Sequence, residues 1–176
     1  MTKLGKYQLR VTARDVADVV RHAGGWLVDR SMAGWDVTVV LTQDCDTLPL
    51  RILGVNSRVA HHDDDSEAPL RSVSLAASAH ALADDDDLRA EIVEAMRRGH
   101  SDVTVWGDVS SEPVPGTQAV DHVLSAAARA FKARALLAAG LVETVGPVET
   151  FRSRTAAVPA GYSDLTPSVA RSLAQR

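Results

Sequence analysis

Two short polar stretches of the sequence hold side chains whose chemistry suits a metal ion. The first, "TQDCDT", places Asp44 and Asp46 directly after an apolar run that is typical of a buried strand. Carboxylates at such a strand end can hold Mg²⁺, because hard cations prefer oxygen ligands. The alternative is a polar turn in which these Asp side chains accept hydrogen bonds from the backbone. We favour the turn and keep both residues as candidate metal ligands.

The second stretch, "HHDDD", supplies two imidazoles and three carboxylates within residues 61–65. Adjacent side chains on an extended chain point to opposite sides, so His61 and His62 are poorly arranged to bind one ion together. A solvated acidic loop is therefore favoured, with metal binding by His61, His62 and Asp63 as the alternative. The sequence contains no glycine-rich phosphate or dinucleotide motif, no H-E-x-x-H and no paired C-x-x-C. We accordingly predict no cofactor.

Basic residues are concentrated in "ARAFKARALLAAGLVETVGPVETFRSR", residues 128–154, which contains the candidate segment 129–154. A helix with Arg129 and Lys132, followed by a small hairpin ending in Arg152 and Arg154, resembles the recognition helix and wing of a winged-helix DNA-binding domain. The resemblance implies that these four cations contact DNA phosphates. We favour the alternative, a surface helix whose long basic side chains cover apolar flanks.

The first part of the chain reads as a strand, a helix and a second strand. "KYQLRV" at residues 6–11 alternates apolar and polar residues, and the stripe that follows predicts an amphipathic helix up to Ala33. Gly24 and Gly25 interrupt this stripe, so either the helix ends there or close packing compensates for the glycines. We favour one continuous helix.

The tetrapeptide "DVTV" occurs at 36–39 and again at 102–105, and both copies are predicted to be buried strands at the centre of the sheet. We attribute the repeat to convergence and not to duplication. "LPLRILGV" predicts another strand, and the loop before it is too short for a parallel crossover. The segment 36–55 is therefore predicted to be a hairpin, which makes the sheet partly antiparallel.

The remaining elements are predicted from periodicity and end signals. "LRSVSLAAS" is expected to be a strand, and the acidic run at 84–87 followed by "LRAEIVEAMRRG" predicts a helix whose end charges oppose its dipole. A long helix is predicted over 118–139 and a hairpin about Gly146-Pro147. Residues 1–153 are predicted to form a single domain. Residues 154–176 are expected to be a linker and a C-terminal helix that begins at Thr166 and Pro167.

Composition narrows the class of protein. The chain has 176 residues, of which 45% are hydrophobic and 24% charged, as in ordinary globular proteins. The net charge of −4 gives no general positive surface for nucleic acid, which makes that partner the less favoured one. The single cysteine, Cys45, cannot form an internal disulfide, and no secretory signal or membrane span is recognisable. We therefore predict a cytoplasmic protein with no membrane association.

The fold class predicted is α/β or α+β, with a mixed, partly antiparallel sheet, two or three packed helices and a short C-terminal helix. Because no convergent acid–base or nucleophilic site is evident, we predict a non-catalytic regulatory or protein-interaction domain, with a protein partner or self-association as a homodimer. The first alternative is a small metal-dependent enzyme that uses Asp44, Asp46 and the His61–Asp65 loop. The second is a winged-helix-like DNA-binding protein.

Overall fold

The computed structural model describes residues 7–60, 73–107, 114–155 and 164–168. Within these ranges the strands form one sheet: β1 (Gln8–Ala13), β2 (Asp36–Leu41), β3 (Asn56–Val59), β4 (Val73–Ser78), β5 (Val103–Trp106), β6 (Gln118–Val123), β7 (Val148–Arg154) and β8 (Thr166–Pro167). The helices are α1 (Val16–Met32), α2 (Leu48–Ile52), α3 (Ala79–Asp84), α4 (Asp86–Arg98) and α5 (Ala126–Ala138). None of these described helices combines the length and the hydropathy needed to cross a lipid bilayer.

The sheet is parallel in one half and antiparallel in the other. Its strand order is β3-β2-β1-β4-β5-β7-β6-β8. The first five strands in this order run parallel to one another, and β7, β6 and β8 each run antiparallel to a neighbour. The predicted fold class, a helix-containing protein with a mixed and partly antiparallel sheet, is confirmed.

Two hydrophobic cores lie on opposite faces of the sheet. Alternate residues of β1 and β2 pack against α1, and the core includes Trp26 and Leu27 of that helix. The second core joins β4 and β5 to α3 and α4, where Ile92 and Met96 are buried. The valines of both "DVTV" segments are almost inaccessible to solvent, so these segments are interior strands as predicted: Val37, Val39, Val103 and Val105.

The predicted hairpin at 36–55 is wrong. Residues 48–52 form the helix α2, and the next strand is β3, which pairs with β2 in parallel. Pro49 lies in the first turn of α2, where the missing N–H is tolerated. Leu50 and Leu53 are buried in the core beside α1. The sheet is partly antiparallel for another reason, namely the pairing of β5, β7, β6 and β8.

The long helix predicted over 118–139 is also wrong in its first part. Residues 118–123 form β6, in which Val120 and His122 alternate toward the core. The helix α5 begins only after Ser125, whose side chain accepts a hydrogen bond from the N–H of Ala128. The hairpin predicted about Gly146-Pro147 does not form, because β7 pairs with β6 and β5 instead.

The C-terminal prediction is tested only at residues 164–168. There Thr166 and Pro167 pair with β6 as the short strand β8 and do not begin a helix. The rest of the predicted linker and C-terminal helix, residues 156–163 and 169–176, lies outside the described residues.

Candidate functional site

The order of the parallel strands singles out one edge of the sheet. The chain moves from β1 outward to β2 and β3 and then returns to β4 on the other side of β1. In open α/β sheets, ligands bind in the crevice outside the carboxyl ends of the strands where the order reverses in this way. The carboxyl ends of β1 and β4 therefore mark the position at which a ligand site is expected.

A carboxylate and an imidazole lie near this edge, in the first two turns of α1. Asp18 is buried, and its Oδ2 atom lies 3.4 Å from the indole nitrogen of Trp106, the last residue of β5. The Oδ1 atom of Asp18 is 3.7 Å from Nε2 of His22, four residues further along the same helix face. The His22 side chain remains 40% exposed, so this pair is open to solvent on the histidine side.

The surroundings of His22 favour its neutral form. Burial lowers the pKa of His22 below its ordinary value, and Asp18 opposes this change. The positive charges of Arg21 and Lys132 lower the pKa further, whereas Glu149 raises it. Because the net pKa shift is downward from 6.5, His22 is mostly neutral at pH 7 and one ring nitrogen can accept a proton.

The loops that follow β1 and β4 are stabilised by two helix N-caps and by one ion pair. Asp15 caps α1 by accepting a hydrogen bond from the N–H of Asp18. Ser78, at the end of β4, caps α3 in the same way. Arg14, which follows β1, lies 3.8 Å from Asp84 at the end of α3. These contacts join the carboxyl ends of β1 and β4 across the point where the strand order reverses.

A buried ion pair between Lys132 and Glu149 hydrogen-bonds to backbone groups in the middle of α1. Lys132 of α5 donates to the carbonyl of Arg21 and to Glu149 of β7, each at 2.6 Å. The Glu149 carboxylate in turn accepts the backbone N–H groups of Gly25 and Trp26. A side chain has thus entered the hydrogen-bonding pattern of α1 one turn after His22.

A second polar network lies further along α1. Asp29 accepts hydrogen bonds from Ser125 and from Nε2 of His122. Burial raises the pKa of Asp29, but the hydrogen bonds from Ser125 and His122 outweigh burial, and the net pKa is lowered. The other ring nitrogen of His122 is 3.0 Å from the carbonyl oxygen of Asp164.

The side chain of Asp164 completes this network. Its two oxygens accept from Arg30, and one of them also accepts from the indole N–H of Trp26. The Arg30 guanidinium lies 3.9 Å from the ring centre of Trp35. Because both ring nitrogens of His122 and the whole Asp164 carboxylate are engaged, this network fastens residues 164–168 to the fold and is not an open site.

The structure does not assemble the predicted metal ligands. Asp44 is exposed, and Asp46 accepts a hydrogen bond from the N–H of Leu48, which is the turn that we favoured. The candidates His61, His62 and Asp63 lie outside the described residues. Within the described part of the chain, no group of three or more His, Cys, Asp or Glu side chains could hold a metal ion.

The winged-helix resemblance is wrong. Lys132 is buried against Glu149 on the α1 face of the sheet, so its charge is already paired. Arg152 is three residues from Glu149 in β7, which turns its side chain to the other face, where it donates to Thr117. Arg129 is exposed on α5 and Arg154 is exposed at the end of β7. Because Lys132 and Arg152 lie on opposite faces of one sheet, the four cations do not form a single surface for DNA.

Sequence reasoning missed the Asp18–His22 pair. A usable signal was present, because Asp and His four residues apart share one face at the start of a helix that follows a strand. The contribution of Trp106 had no such signal, since it is 88 residues distant in the chain.

No family model and no curated protein matches the sequence. Solved structures do resemble it. A deacetylase of teicoplanin biosynthesis, in complex with teicoplanin, has a TM-score of 0.54 and 13% identity over 85% of this chain and 98% of that chain. The pseudoaglycone deacetylase Dbv21 has a TM-score of 0.56 and 14% identity over 88% of this chain and all of that chain. At these identities the likeness establishes a shared fold.

The prediction of a non-catalytic regulatory or protein-interaction domain is therefore corrected. That prediction depended on finding no local catalytic motif, whereas the fold that the chain adopts is the fold of deacetylases. Sites assembled from residues distant in the chain leave no local pattern, and a missing motif was a poor reason to exclude catalysis.

Proposed function

We propose that this protein is a hydrolase that removes an acyl group from a small molecule bound at the carboxyl edge of β1 and β4. The Asp18–His22 pair at this edge is the observation that carries the proposal, because it offers a neutral imidazole beside an oriented carboxylate. The structural likeness to deacetylases supports the choice of an acyl group.

The proposal is tested by measuring the release of acetate from p-nitrophenyl acetate and 4-nitroacetanilide, an ester and an amide that share the acetyl group. We expect turnover above the rate in buffer, and we expect Asp18→Asn to reduce it. As the control, Glu94→Gln alters a carboxylate near the C-terminal end of α4, where its partners are Arg97 and Arg98 of the same helix. Equal rates for the wild-type protein and for heat-denatured protein would contradict the proposal.

A second candidate, a metal-dependent enzyme, is favoured by one topological observation. Asp44 and Asp46 follow β2, and His61, His62 and Asp63 follow β3, which is the parallel neighbour of β2. We propose that these residues together could hold a divalent cation. The measurement is the thermal unfolding midpoint in the presence of Mg²⁺, Mn²⁺ or Zn²⁺.

A cation bound at these residues should raise the midpoint by several degrees, because ligands that bind only the folded state stabilise it. The variant Asp44→Asn/Asp46→Asn should lose that rise, although Asn keeps an oxygen that can accept the hydrogen bond from Leu48. A midpoint that no cation raises, or a rise that the variant retains, would remove these ligands from consideration.

We also propose that the protein is cytoplasmic, since a chain with the single cysteine Cys45 has no internal disulfide to gain from an oxidising compartment. Fractionation of the native cell, with an antibody against the protein, tests this location.

A further inference from the structure

We infer that His22, oriented by Asp18, is the general base that activates a water molecule in the proposed hydrolysis. This inference rests on the proposed function and adds to it by assigning the proton transfer to one ring atom. It also assigns Asp18 and Trp106 as positioning residues, which act through His22 and need not touch the substrate.

The geometry selects the tautomer of His22. Its Nε2 atom faces Oδ1 of Asp18 at 3.7 Å, so the proton of a neutral ring is favoured on Nε2, where the carboxylate attracts it. The lone pair is then on Nδ1, and no hydrogen bond to Nδ1 is present within the described ranges. Such contacts are often long in a ligand-free enzyme and shorten in the substrate complex.

Trp106 fixes the carboxylate that orients the ring. Its indole N–H reaches the second oxygen of Asp18 at 3.4 Å, and Trp106 itself is only 1% exposed at the end of β5. Asp18 therefore lies between the core on one side and His22 on the other. The arrangement follows a general pattern in which a base is oriented by a third group that does not react.

The proton balance of the step is simple. Nδ1 of His22 takes a proton from water while the water oxygen forms a bond to the acyl carbon. The bond from that carbon to the leaving nitrogen or oxygen then breaks, and the imidazolium returns the proton to the leaving group. One water molecule is consumed, the acid and the amine or alcohol are produced, and His22 ends neutral. No oxidant or reductant is required.

Four charged groups near His22 shift its pKa, each in a known direction, so substitutions of these groups can be used to test the assignment. Asp18 and Arg21 face it from its own helix, Lys132 faces it from α5, and Glu149 faces it from β7. Of these groups, Arg21 is exposed and paired with Glu143, so it can be changed without opening the core. Opposite pKa shifts are therefore expected from two single substitutions.

The first experiment is an NMR titration of the His22 ring in the full chain. We expect a pKa below 6.5 in the wild-type protein, a lower pKa in Asp18→Asn and a higher pKa in Arg21→Gln. The opposite shifts test whether the ring faces both charges, because loss of a nearby carboxylate lowers the His22 pKa and loss of a nearby cation raises it. A wild-type pKa at or above 6.5, or a rise in Asp18→Asn, would overturn the inference.

The second experiment measures kcat/KM for p-nitrophenyl acetate over pH 5–9. His22→Gln should lower kcat/KM by about 100-fold or more, the usual contribution of a general base. In the wild-type protein the rate should fall on the acid side at the pKa that the titration assigns to His22. The matched control is His100→Gln, which alters an exposed histidine before β5 and should leave the rate unchanged.

The outcomes separate the inference from the proposed function. Wild-type turnover that His22→Gln retains would overturn the role of His22 and leave the hydrolase proposal standing. No turnover by the wild-type protein would overturn both. Folding of each variant is checked by its thermal midpoint, and Arg21→Gln, which should shift the acid limb to higher pH, tests the inference without altering His22.

Discussion

Gly24 and Gly25 are neighbours in α1 but have different surroundings, and the difference decides what each contributes to stability. A Cβ atom at position 24 would meet its nearest atoms, in Leu53 and Lys132, at 3.6 Å, which is an ordinary contact. A Cβ atom at position 25 would lie 2.6 Å from Cγ of Leu124 and 3.2 Å from the Glu149 carboxylate. Close packing therefore explains why residue 25 is a glycine. The sequence had left two explanations open, a helix end or close packing, and the second applies here.

The first prediction compares these two glycines. Gly25→Ala should destabilise the protein by about 1–3 kcal/mol, because the core must shift to admit one methyl group. Gly24→Ala should be neutral or stabilising by up to about 1 kcal/mol, because alanine is the better helix former and has room. Urea denaturation measures both. Equal effects from the two substitutions would show that contact with Leu124 is not the cause.

The Lys132–Glu149 pair connects three elements, α1, α5 and β7. Neither side chain is more than 8% exposed, and each makes further hydrogen bonds to the backbone of α1. A buried pair of this kind contributes little compared with apolar residues of the same size, but losing one partner leaves an uncompensated charge. This pair therefore constrains how the two helices and the strand are placed.

The second prediction concerns that constraint. Lys132→Met should destabilise the protein by about 3–5 kcal/mol, because Glu149 remains buried without its cation. Adding Glu149→Gln to Lys132→Met should recover part of the loss, since the amide carries no charge. The control is Arg21→Gln, which breaks an exposed ion pair and should scarcely alter the denaturation midpoint. Additive losses in the double variant would contradict direct coupling between Lys132 and Glu149.

The Asp29 network joins residues that are far apart in the chain. Asp29 belongs to α1, His122 and Ser125 flank the end of β6, and Asp164 precedes β8. Residues 164–168 are held by this network and by the pairing of β8 with β6. The network therefore connects β6 and the segment before β8, at the antiparallel end of the sheet, to α1, the helix that also carries His22.

The third prediction is the pH dependence that this network imposes. The folded pKa of Asp29 is lowered by Ser125 and His122, so its stabilising effect is complete above its unfolded pKa of about 4 and is lost as pH falls through the folded value. Asp29→Asn should cost about 1–2 kcal/mol at pH 6, through the loss of charge-assisted hydrogen bonds. The difference from the wild-type protein should shrink below pH 4.

The measurement is the free energy of unfolding of both proteins from pH 3 to pH 7. The control is Asp44→Asn, an exposed carboxylate for which we expect no such pH-dependent difference. A difference between wild type and Asp29→Asn that stays constant down to pH 3 would mean that the charge of Asp29 is not what stabilises the folded state.

Elements specified by neighbouring residues were predictable from the sequence. The valine-rich strands β2 and β5 follow from their apolar pattern, and α4 follows from the acidic residues at its start, the arginines at its end and the left-handed Gly99. Each signal lies within a few residues of the structure that it specifies, so no tertiary contact was needed to recognise it.

The failures fall where tertiary packing overrides the local pattern. The segment 48–52 alternates like a strand, yet Leu50 is buried by helix packing against the α1 core. The segment 118–123 continues the apolar spacing of α5, yet its backbone hydrogen bonds go to β7 and β8. Short apolar runs suit either structure, and the partner with which they pack decides between them.

Local sequence signals were enough to predict a helix-containing protein, its interior valine strands and the limits of α4. A partly antiparallel sheet was also predicted, but from a hairpin at 36–55 that does not form. The strand order, the burial of Lys132 and the approach of Trp106 to the Asp18–His22 pair became known only from the folded structure. The difference arises from the distance along the chain over which each kind of interaction acts. Periodicity and capping act over a few residues, whereas the candidate site depends on contacts between residues that only folding brings together.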